Sequence, residues 1–164
     1  MGGVTVRIAT EDDLPHVAGL RWRWTAENGE TSGVDRTEFT ENFVQWALRN
    51  PATHHCVIAT RGADVLGMAW LGVLPRVPTP QSPERATGDV QSVYVVPEER
   101  SAGLGSAMID ALLEKARELG LERVTVHSSS RAIPTYQRRG FDYAVRLLQV
   151  DAAQLDGARS PRDP

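Results

Sequence analysis

A short glycine-containing segment, residues 100–105, has the residue types that hold an anion. Its sequence is Arg-Ser-Ala-Gly-Leu-Gly, and it joins an apolar run that ends at Pro97 to an amphipathic run that begins at Leu104. The first N–H groups of a helix have no intrahelical acceptor and lie at the positive end of its dipole. Because Gly103 and Gly105 carry no side chain, a phosphate could approach these groups closely. The spacing predicts a pyrophosphate site; the alternative is that the glycines only shape a turn.

Two other phosphate-binding motifs do not fit this segment. The P-loop motif needs Gly-Lys followed by Ser or Thr, and residues 100–106 contain no lysine. The dinucleotide fingerprint needs Gly or Ala three residues after its second glycine, where this chain has Met108. The segment is therefore not predicted to bind a nucleoside triphosphate or a nicotinamide dinucleotide.

Few other residues have a pattern that indicates nucleophilic catalysis or metal binding. His54 and His55 are adjacent, and adjacent side chains on a strand lie on opposite faces, so the two histidines are poorly arranged to chelate one metal ion. Cys56 is the one cysteine in the sequence, and its apolar neighbours are typical of a packed thiol. The sequence thus predicts no metal site and no internal disulfide.

The segments around the glycine-containing motif predict how it is positioned. Hydrophobic patterns bounded by proline, glycine and capping residues predict the order β-α-α-β-β-β-α-β-α-β. Because hairpin-linked strands come first and helix-crossed strands later, we expect an α/β fold with one mixed sheet in a single domain. The proline-rich residues 75–88 are expected to form a long loop, and residues 157–164 a frayed tail. The predicted bounds are about 4–8, 10–25, 35–48, 55–60, 65–74, 89–96, 104–119, 123–127, 133–138 and 141–150.

Two ordered segments resemble the signatures of the GNAT family of N-acetyltransferases. The family loop is Arg/Gln-x-x-Gly-x-Gly/Ala, and residues 100–105 match it at every fixed position. Residues 132–141 are similar to the family segment Ala-x-x-x-Tyr-x-x-x-Gly-Phe. The resemblance extends over about residues 4–150 and is strongest from 89 to 141. It implies a splayed sheet flanked by helices, acetyl-CoA as the donor, and a primary amine of a small molecule or peptide as the acceptor.

The resemblance also implies which residues bind acetyl-CoA. Backbone groups of residues 93–95 would pair with the pantetheine arm like an added strand, and the N–H groups of residues 101–106 would hold the pyrophosphate. Ser129 stands where many relatives have an asparagine that touches the cofactor. The implied cofactor-binding residues are Val93, Tyr94, Val95, Arg100, Ser101, Ala102, Gly103, Leu104, Gly105, Ser106 and Ser129.

The chemistry implied by the resemblance is direct attack of an amine on a thioester. The N–H of Val95 would donate to the oxyanion, and Tyr136 would protonate the leaving thiolate as general acid or, alternatively, only pack against the cofactor. Asp89 resembles in position the strand glutamate that some members use as the base, with a water to bridge its shorter reach. His127 could relay a proton or be an ordinary strand-end histidine. A non-catalytic acyl-CoA-binding or regulatory domain, transfer of a longer acyl group and transfer to an alcohol remain alternatives.

Acidic and aromatic residues cluster around the first two predicted helices. Trp22 and Trp24 belong to the first, and in relatives these two helices wall the acceptor site, although each tryptophan could simply pack. The acidic side chains could attract a cationic amine or be a solvated charge run. They are Glu27, Glu30, Asp35 and Glu38.

Composition limits the classes of partner and compartment. The chain has 164 residues and a net charge of −3, so no basic surface is predicted for nucleic acid or for an anionic membrane. No apolar run approaches the ~20 residues of a membrane span, and the N-terminus lacks the pattern of a secretory signal peptide. We therefore expect a cytoplasmic enzyme, and a homodimer is compatible with the sequence.

Overall fold

The computed structural model describes residues 2–31 and 33–157, which form one five-stranded sheet and four α-helices. The strands are β1 (Thr5–Ile8), β2 (His54–Arg61), β3 (Asp64–Arg76), β4 (Arg85–Val95) and β5 (Val124–Val126), and the helices are α1 (Leu14–Glu27), α2 (Arg36–Arg49), α3 (Leu104–Glu118) and α4 (Ile133–Gln137). The expectation of an α/β fold with helices flanking one sheet is confirmed.

The sheet has the strand order β1-β2-β3-β4-β5. The first four strands are antiparallel neighbours, whereas β5 runs parallel to β4, as expected for a sheet built first from hairpins and then through a helical crossover. The parallel pairing covers only Gly88–Val90 of β4 opposite Val124–Val126. From Gln91 onward β4 therefore has no strand beside it on the β5 side within the described residues, and the two strands separate.

Helices cover both faces of the sheet. The ring of Trp70 on β3 lies 5.9 Å from that of Phe43 on α2, so this side chain faces α1 and α2. A Cβ atom added at Gly67 on the same strand would come within 2.9 Å of the Met108 side chain on α3, which places α3 on the opposite face. Because the α3 side chains of Met108 and Leu112 are fully buried, this helix is fixed against the sheet by its apolar stripe.

Local signals set the helix ends in the way that the sequence predicts. Thr10 and Asp13 form a capping box just before α1, with the Thr10 N–H 2.7 Å from the Asp13 carboxylate. Asp35 caps α2 by accepting a hydrogen bond of 2.9 Å from the Glu38 N–H. α3 is followed by Gly120, whose φ of +66° is a left-handed conformation that glycine adopts without strain.

The loop predicted for residues 75–88 is present but shorter, because strands extend into both of its ends, so the predicted bounds are wrong. β3 continues to Arg76 and β4 begins at Arg85, with Pro75 opposite Ala86 in the register. The β2 pairing ends where His54 lies opposite Gly72, so this end of β3 has only β4 as a neighbouring strand. A proline is tolerated there because it interrupts a ladder on one side only.

The final strand predicted for residues 141–150 is absent from the described residues, which is a second correction. Its alternating apolar side chains are exposed instead, with 71% exposure for Tyr143 and 92% for Val145, and the chain bends where the Leu147 N–H donates to the Ala144 carbonyl at 3.0 Å. Alternation alone does not make a strand, because a strand also needs the backbone groups of a neighbour. Residues 158–164 of the predicted tail lie outside the described residues.

None of the helices that the model describes is long and apolar enough to cross a membrane.

Candidate active site

A cleft of about 440 Å³ opens where β4 and β5 separate, above the first turn of α3. Six parts of the chain line it: α1, the end of β4, the glycine-containing turn, the start of α3, the end of β5, and α4 with the residues just before it. Most of the residues predicted to bind acetyl-CoA meet here. They are Val93, Val95, Arg100, Ser101, Gly103, Leu104, Gly105, Ser106 and Ser129, together with the predicted acid Tyr136.

The glycine-containing turn presents unpaired backbone N–H groups. Gly103 has φ of +80° and Ser101 has φ of +68°, so the chain curls just before α3. The first helical bond runs from the Ala107 N–H to the Gly103 carbonyl at 3.0 Å, which leaves the preceding N–H groups of the helix without intrahelical acceptors. A Cβ atom at Gly103 would meet nothing within 4 Å, so there is open space beside the turn. This geometry fits a pyrophosphate held by backbone groups.

The end of β4 leaves an edge that an extended ligand could join. Ser92 has φ of +52° in a β-bulge, where Ser92 and Val93 of β4 lie opposite the single residue Ala69 of β3. The Val96 N–H donates to the Leu66 carbonyl at 2.9 Å. Hydrogen-bonded and non-hydrogen-bonded pairs alternate along an antiparallel ladder, so the neighbouring pair of Val95 and Gly67 is not hydrogen-bonded. The N–H and carbonyl of Val95 therefore point away from β3. The Val95 N–H is therefore directed to the side where β4 has no neighbouring strand.

The side chain of Tyr94 packs against α1 and is not among the residues that line the cleft, so the predicted cofactor role falls to its backbone. Its ring stacks on Trp24 of α1 with centroids 5.7 Å apart, and its hydroxyl donates to the Glu27 carboxylate. Burial and this carboxylate raise the pKa of Tyr94 to about 12. Ala102, the remaining residue of the predicted set, lies in the turn itself but is not among the residues that line the cleft.

The Arg100 side chain connects the turn to β4 and α1. Its Nε donates to the Val95 carbonyl at 3.0 Å, and its Nη2 donates to Glu27 at 2.8 Å. The Tyr94 hydroxyl and then the Arg100 guanidinium lower the pKa of the Glu27 carboxyl, since both donate to its ionised form.

Tyr136 is buried on α4 and lines the cleft. Its ring meets that of Phe141 edge-on, with centroids 5.3 Å apart. Burial raises the pKa of the Tyr136 phenol, which keeps it protonated near neutral pH. The group is thus a proton donor in its resting form.

Asp89 is held differently from the other predicted residues. Its carboxylate accepts hydrogen bonds of 3.1 Å from the Thr125 hydroxyl and from the Gln91 amide. It pairs with Gly72 on the sheet face of α1 and α2 and is not among the residues that line the cleft. His127 does line the cleft, at the end of β5.

A second cavity of about 630 Å³ lies on the outer side of β5 and α4. It is lined mainly by apolar side chains and shares Val126, His127, Ser128 and Tyr136 with the first cleft. The free N–H groups of the glycine-containing turn lie in the smaller cleft, so the predicted pyrophosphate site belongs to that cleft.

Several cleft residues were not among those predicted to bind acetyl-CoA. Trp24 of α1 was considered only as part of a helix that walls the acceptor site. Glu99, from the turn after β4, is held by a bidentate pair with Arg61 at 2.6 and 2.9 Å. Thr135 lies within the segment that is similar to the second family signature, but nothing in the sequence indicated that it would line the cleft. Ser92 has no residue-type signal for an irregular strand, since positive φ is uncommon for serine.

The residues first considered for metal or thiol chemistry serve packing. The ring of His54 lies 4.8 Å from that of Trp46 on the α1 and α2 face, whereas His55 lies on the α3 face. Burial raises the pKa of the Cys56 thiol, which disfavours the reactive thiolate. Within residues 2–31 and 33–157 no three His, Cys, Asp or Glu side chains converge as a metal-binding group.

Comparison with known sequences identifies both a family and relatives. The family model described as "Acetyltransferase (GNAT) family" matches residues 17–141. A glucosamine 6-phosphate N-acetyltransferase of Trypanosoma brucei brucei is 39% identical over 67 residues, which are 41% of this chain and 46% of the relative. A mycothiol acetyltransferase of Paenarthrobacter aurescens is 35% identical over 81 residues, which are 48% of this chain and 24% of that relative. The chain thus spans less than half the length of these curated relatives.

Solved structures share the whole fold. A crystal structure of a predicted acetyltransferase from Clostridium acetobutylicum with acetyl-CoA superposes with a TM-score of 0.73, covering 93% of this chain and 98% of that one. The sequence identity is 22%, so this likeness concerns the fold.

Proposed function

Because the chain belongs to the acetyltransferase (GNAT) family, we propose that it transfers an acetyl group from acetyl-CoA to a primary amine of a small molecule or peptide. The observation that carries the proposal is the cleft itself. It combines the curled turn at Gly103, the unpaired edge of β4 at Val95 and the buried phenol of Tyr136. These are an anion holder, a strand edge and a proton donor on the walls of one space.

The donor would bind along two backbone surfaces. The free N–H groups at the start of α3 would hold the pyrophosphate, and residues 93–95 would pair with the amide groups of the pantetheine arm. Acetyl-CoA, when bound in this way, supplies the thioester carbonyl that a neutral amine attacks. Ser129 lines the same cleft but has a shorter side chain than asparagine, so its contribution is expected to be small.

Two groups of the chain would assist the reaction. The Val95 N–H, which points away from β3, would donate to the carbonyl oxygen as negative charge develops there. Tyr136 would give its proton to the departing sulfur, and its raised pKa favours the protonated form before the reaction begins.

The acceptor must lose one proton, and we propose that Asp89 receives it through water. The carboxylate already has two donors, Thr125 and Gln91, which fix its orientation on the α1 and α2 face. Because aspartate is shorter than glutamate and Asp89 does not line the cleft, a bridging water would carry the proton to it. His127, which lines the cleft, is the alternative relay.

The relatives support a small-molecule amine as the acceptor class. Their names refer to glucosamine 6-phosphate and to mycothiol, and the aromatic side chains of α1 and α2 would wall the space through which such a molecule approaches. The test is release of free thiol from acetyl-CoA across a panel of amino sugars, amino acids, polyamines and peptides. Thiol release that depends on one amine class supports the proposal, whereas acetyl-CoA binding without release for any amine favours a non-catalytic domain. Parallel assays with a longer acyl-CoA decide which donor is used.

We also propose a reducing compartment, the cytoplasm, as the place where the protein works. Cys56 is buried and unpaired, which suits such a compartment. Cell fractionation tests this, and light scattering of the purified protein tests the predicted homodimer.

A further inference from the structure

Glu27, the last residue of α1, occupies a position between the donor turn and β4. One carboxylate oxygen accepts the Tyr94 hydroxyl, and the other accepts Arg100 Nη2 at 2.8 Å. Arg23, one turn earlier on α1, lies 3.9 Å from the same carboxylate and also pairs with Glu98 at 2.5 Å. The carboxylate is exposed at the surface but is already paired with these donors, so it is poorly available to attract a cationic amine.

The contacts of Arg100 connect this carboxylate to the donor site. Arg100 is the first residue of the glycine-containing segment, and its Nε also donates to the Val95 carbonyl at 3.0 Å. One guanidinium group thus donates both to the Glu27 carboxylate on α1 and to the Val95 carbonyl on β4. Its centre lies 5.5 Å from the Tyr94 ring centroid, which adds a cation–π contact.

We propose that Glu27 is a positioning residue for acetyl-CoA, which holds Arg100 against Val95 and so sets both the turn and the strand edge that would bind the donor. The proposal rests on the function proposed above. Glu27 would not touch the cofactor, since it acts through Arg100 and Tyr94. It is also poorly suited to be the general base, because a guanidinium and a hydroxyl already donate to both of its oxygens.

Without the Glu27 carboxylate, Arg100 would lose the acceptor that fixes the far end of its guanidinium. The side chain is 48% exposed, so it would have many alternative rotamers in water. The Val95 carbonyl would then be held part of the time only, and the donor would have to order the turn when it binds. Affinity for acetyl-CoA should fall, because binding would include that ordering cost.

The experiment compares Glu27→Ala and Glu27→Gln with Glu114→Gln. Glu114 forms a matched two-bond pair with Arg117 on the outer surface of α3, at 2.5 and 3.0 Å, away from the cleft. Isothermal titration with acetyl-CoA should give a Kd raised about tenfold for Glu27→Ala and about threefold for Glu27→Gln, which keeps an acceptor for Tyr94. Glu114→Gln should bind like the wild type and keep its kcat, whereas in the two Glu27 variants any fall in kcat at saturating acetyl-CoA should be smaller than the rise in Kd.

The outcomes separate this inference from the proposed function. Wild-type protein that does not bind acetyl-CoA overturns both. Wild-type binding with an unchanged Kd in both Glu27 variants overturns the positioning role alone, whatever happens to their melting temperature. A kcat loss in Glu27→Gln that exceeds its affinity loss also contradicts it, since that would indicate a part in the chemistry.

A second pair of variants covers the case in which Glu27→Ala does not fold. Tyr94→Phe removes one hydroxyl donor to Glu27 and should raise the Kd by about threefold. In the double variant Glu27→Gln with Arg100→Gln, the Kd should be no higher than in Arg100→Gln alone, because Glu27 acts through Arg100. Additive losses would overturn the proposal.

Discussion

The two walls of the cleft are built in different ways. The donor wall, which consists of β4, the glycine-containing turn and α3, has fully buried side chains such as Leu112 and is tied to α1 and β2 by ion pairs. The outer wall consists of the end of β5 and α4, together with residues 141–150, which follow α4 and do not line the cleft. It has a three-residue strand, a five-residue helix and exposed apolar side chains. The difference indicates that the fold preorganises the surface that we propose for the donor, whereas the opposite surface has less packing to hold it.

The largest expected difference between the walls is in stability. Leu112→Ala removes a fully buried side chain of the donor wall and should lower the free energy of unfolding by about 3 kcal/mol, through lost burial and a cavity. Leu148→Ala, at a position with 89% exposure in the outer wall, should change it by less than about 0.5 kcal/mol. Urea unfolding measures both, and a similar loss in the two variants would mean that the outer wall is packed after all.

A second difference concerns turnover. Tyr136→Phe removes the proton donor that the outer wall contributes, and it should lower kcat about 100-fold while the Kd for acetyl-CoA stays nearly constant. Tyr143→Phe, at a position with 71% exposure, is the matched control and should have wild-type kcat. If Tyr136→Phe has the same kcat as the wild type, the Tyr136 phenol only packs and is not the general acid.

The donor wall should respond to a single added methyl group. Gly103→Ala forces a φ of +80° on an alanine and should lower the free energy of unfolding by about 1 kcal/mol. The added Cβ would lie in the open space beside the turn, where the pyrophosphate is proposed to bind. We therefore expect the Kd for acetyl-CoA to rise about fivefold. Gly62→Ala has a φ of +59° in the β2–β3 hairpin and also meets nothing within 4 Å. This control should lose similar stability and keep wild-type affinity; an affinity loss in both variants would mean that strain alone is measured.

The smallest expected effect is a pH dependence of the packing beneath α3. Burial and then the Lys115 charge lower the pKa of His55, whose Nε2 has no hydrogen-bond partner among the described residues. As pH falls below about 6.5, the unfolded state takes up the proton first, so stability should decrease until the lower folded-state pKa is reached. We expect the melting temperature to fall by about 2 °C more between about pH 7.5 and pH 5.5 in the wild type than in His55→Gln.

His16→Gln, which changes an exposed histidine of α1, provides the control for that pH series. It should retain the wild-type pH dependence. If His55→Gln retains it too, the buried histidine is not the titrating group.

The donor wall was the part most open to prediction from the sequence. The turn and α3 depend on neighbours in the chain, since the glycines, the proline and the apolar stripe all lie within residues 97–120. The strand predicted for residues 141–150 is absent, and the loop predicted for residues 75–88 is shorter than expected because β3 and β4 extend into it. Both errors arise because strand formation depends on a partner that local patterning does not reveal. The predicted acid and base are located by the structure, but their roles remain predictions.

The position of Glu27 illustrates the same limit for the site. Its partners Tyr94 and Arg100 are 67 and 73 residues away in the chain, so nothing near Glu27 indicates an ion pair. A run of acidic residues between two helices is more often solvated, and that was one of the two interpretations open to the sequence. Only the packing of α1 against β4 brings these three side chains together.

The irregularity at Ser92 shifts the alternation of side chains along β4 by one residue. Before it, the odd-numbered Asp89 and Gln91 pair with Gly72 and Trp70 and face α1 and α2; after it, the even-numbered Tyr94 pairs with Met68 and faces the same way. One extra residue thus exchanges odd for even, and it turns Val95 toward the α3 face, where the cleft lies. Deletion of one residue here would remove the irregularity and leave Tyr94 and Val95 on their present faces, whereas regular pairing with every residue kept would exchange them. The extra residue therefore decides which side chain of this strand faces α1 and which faces the cleft.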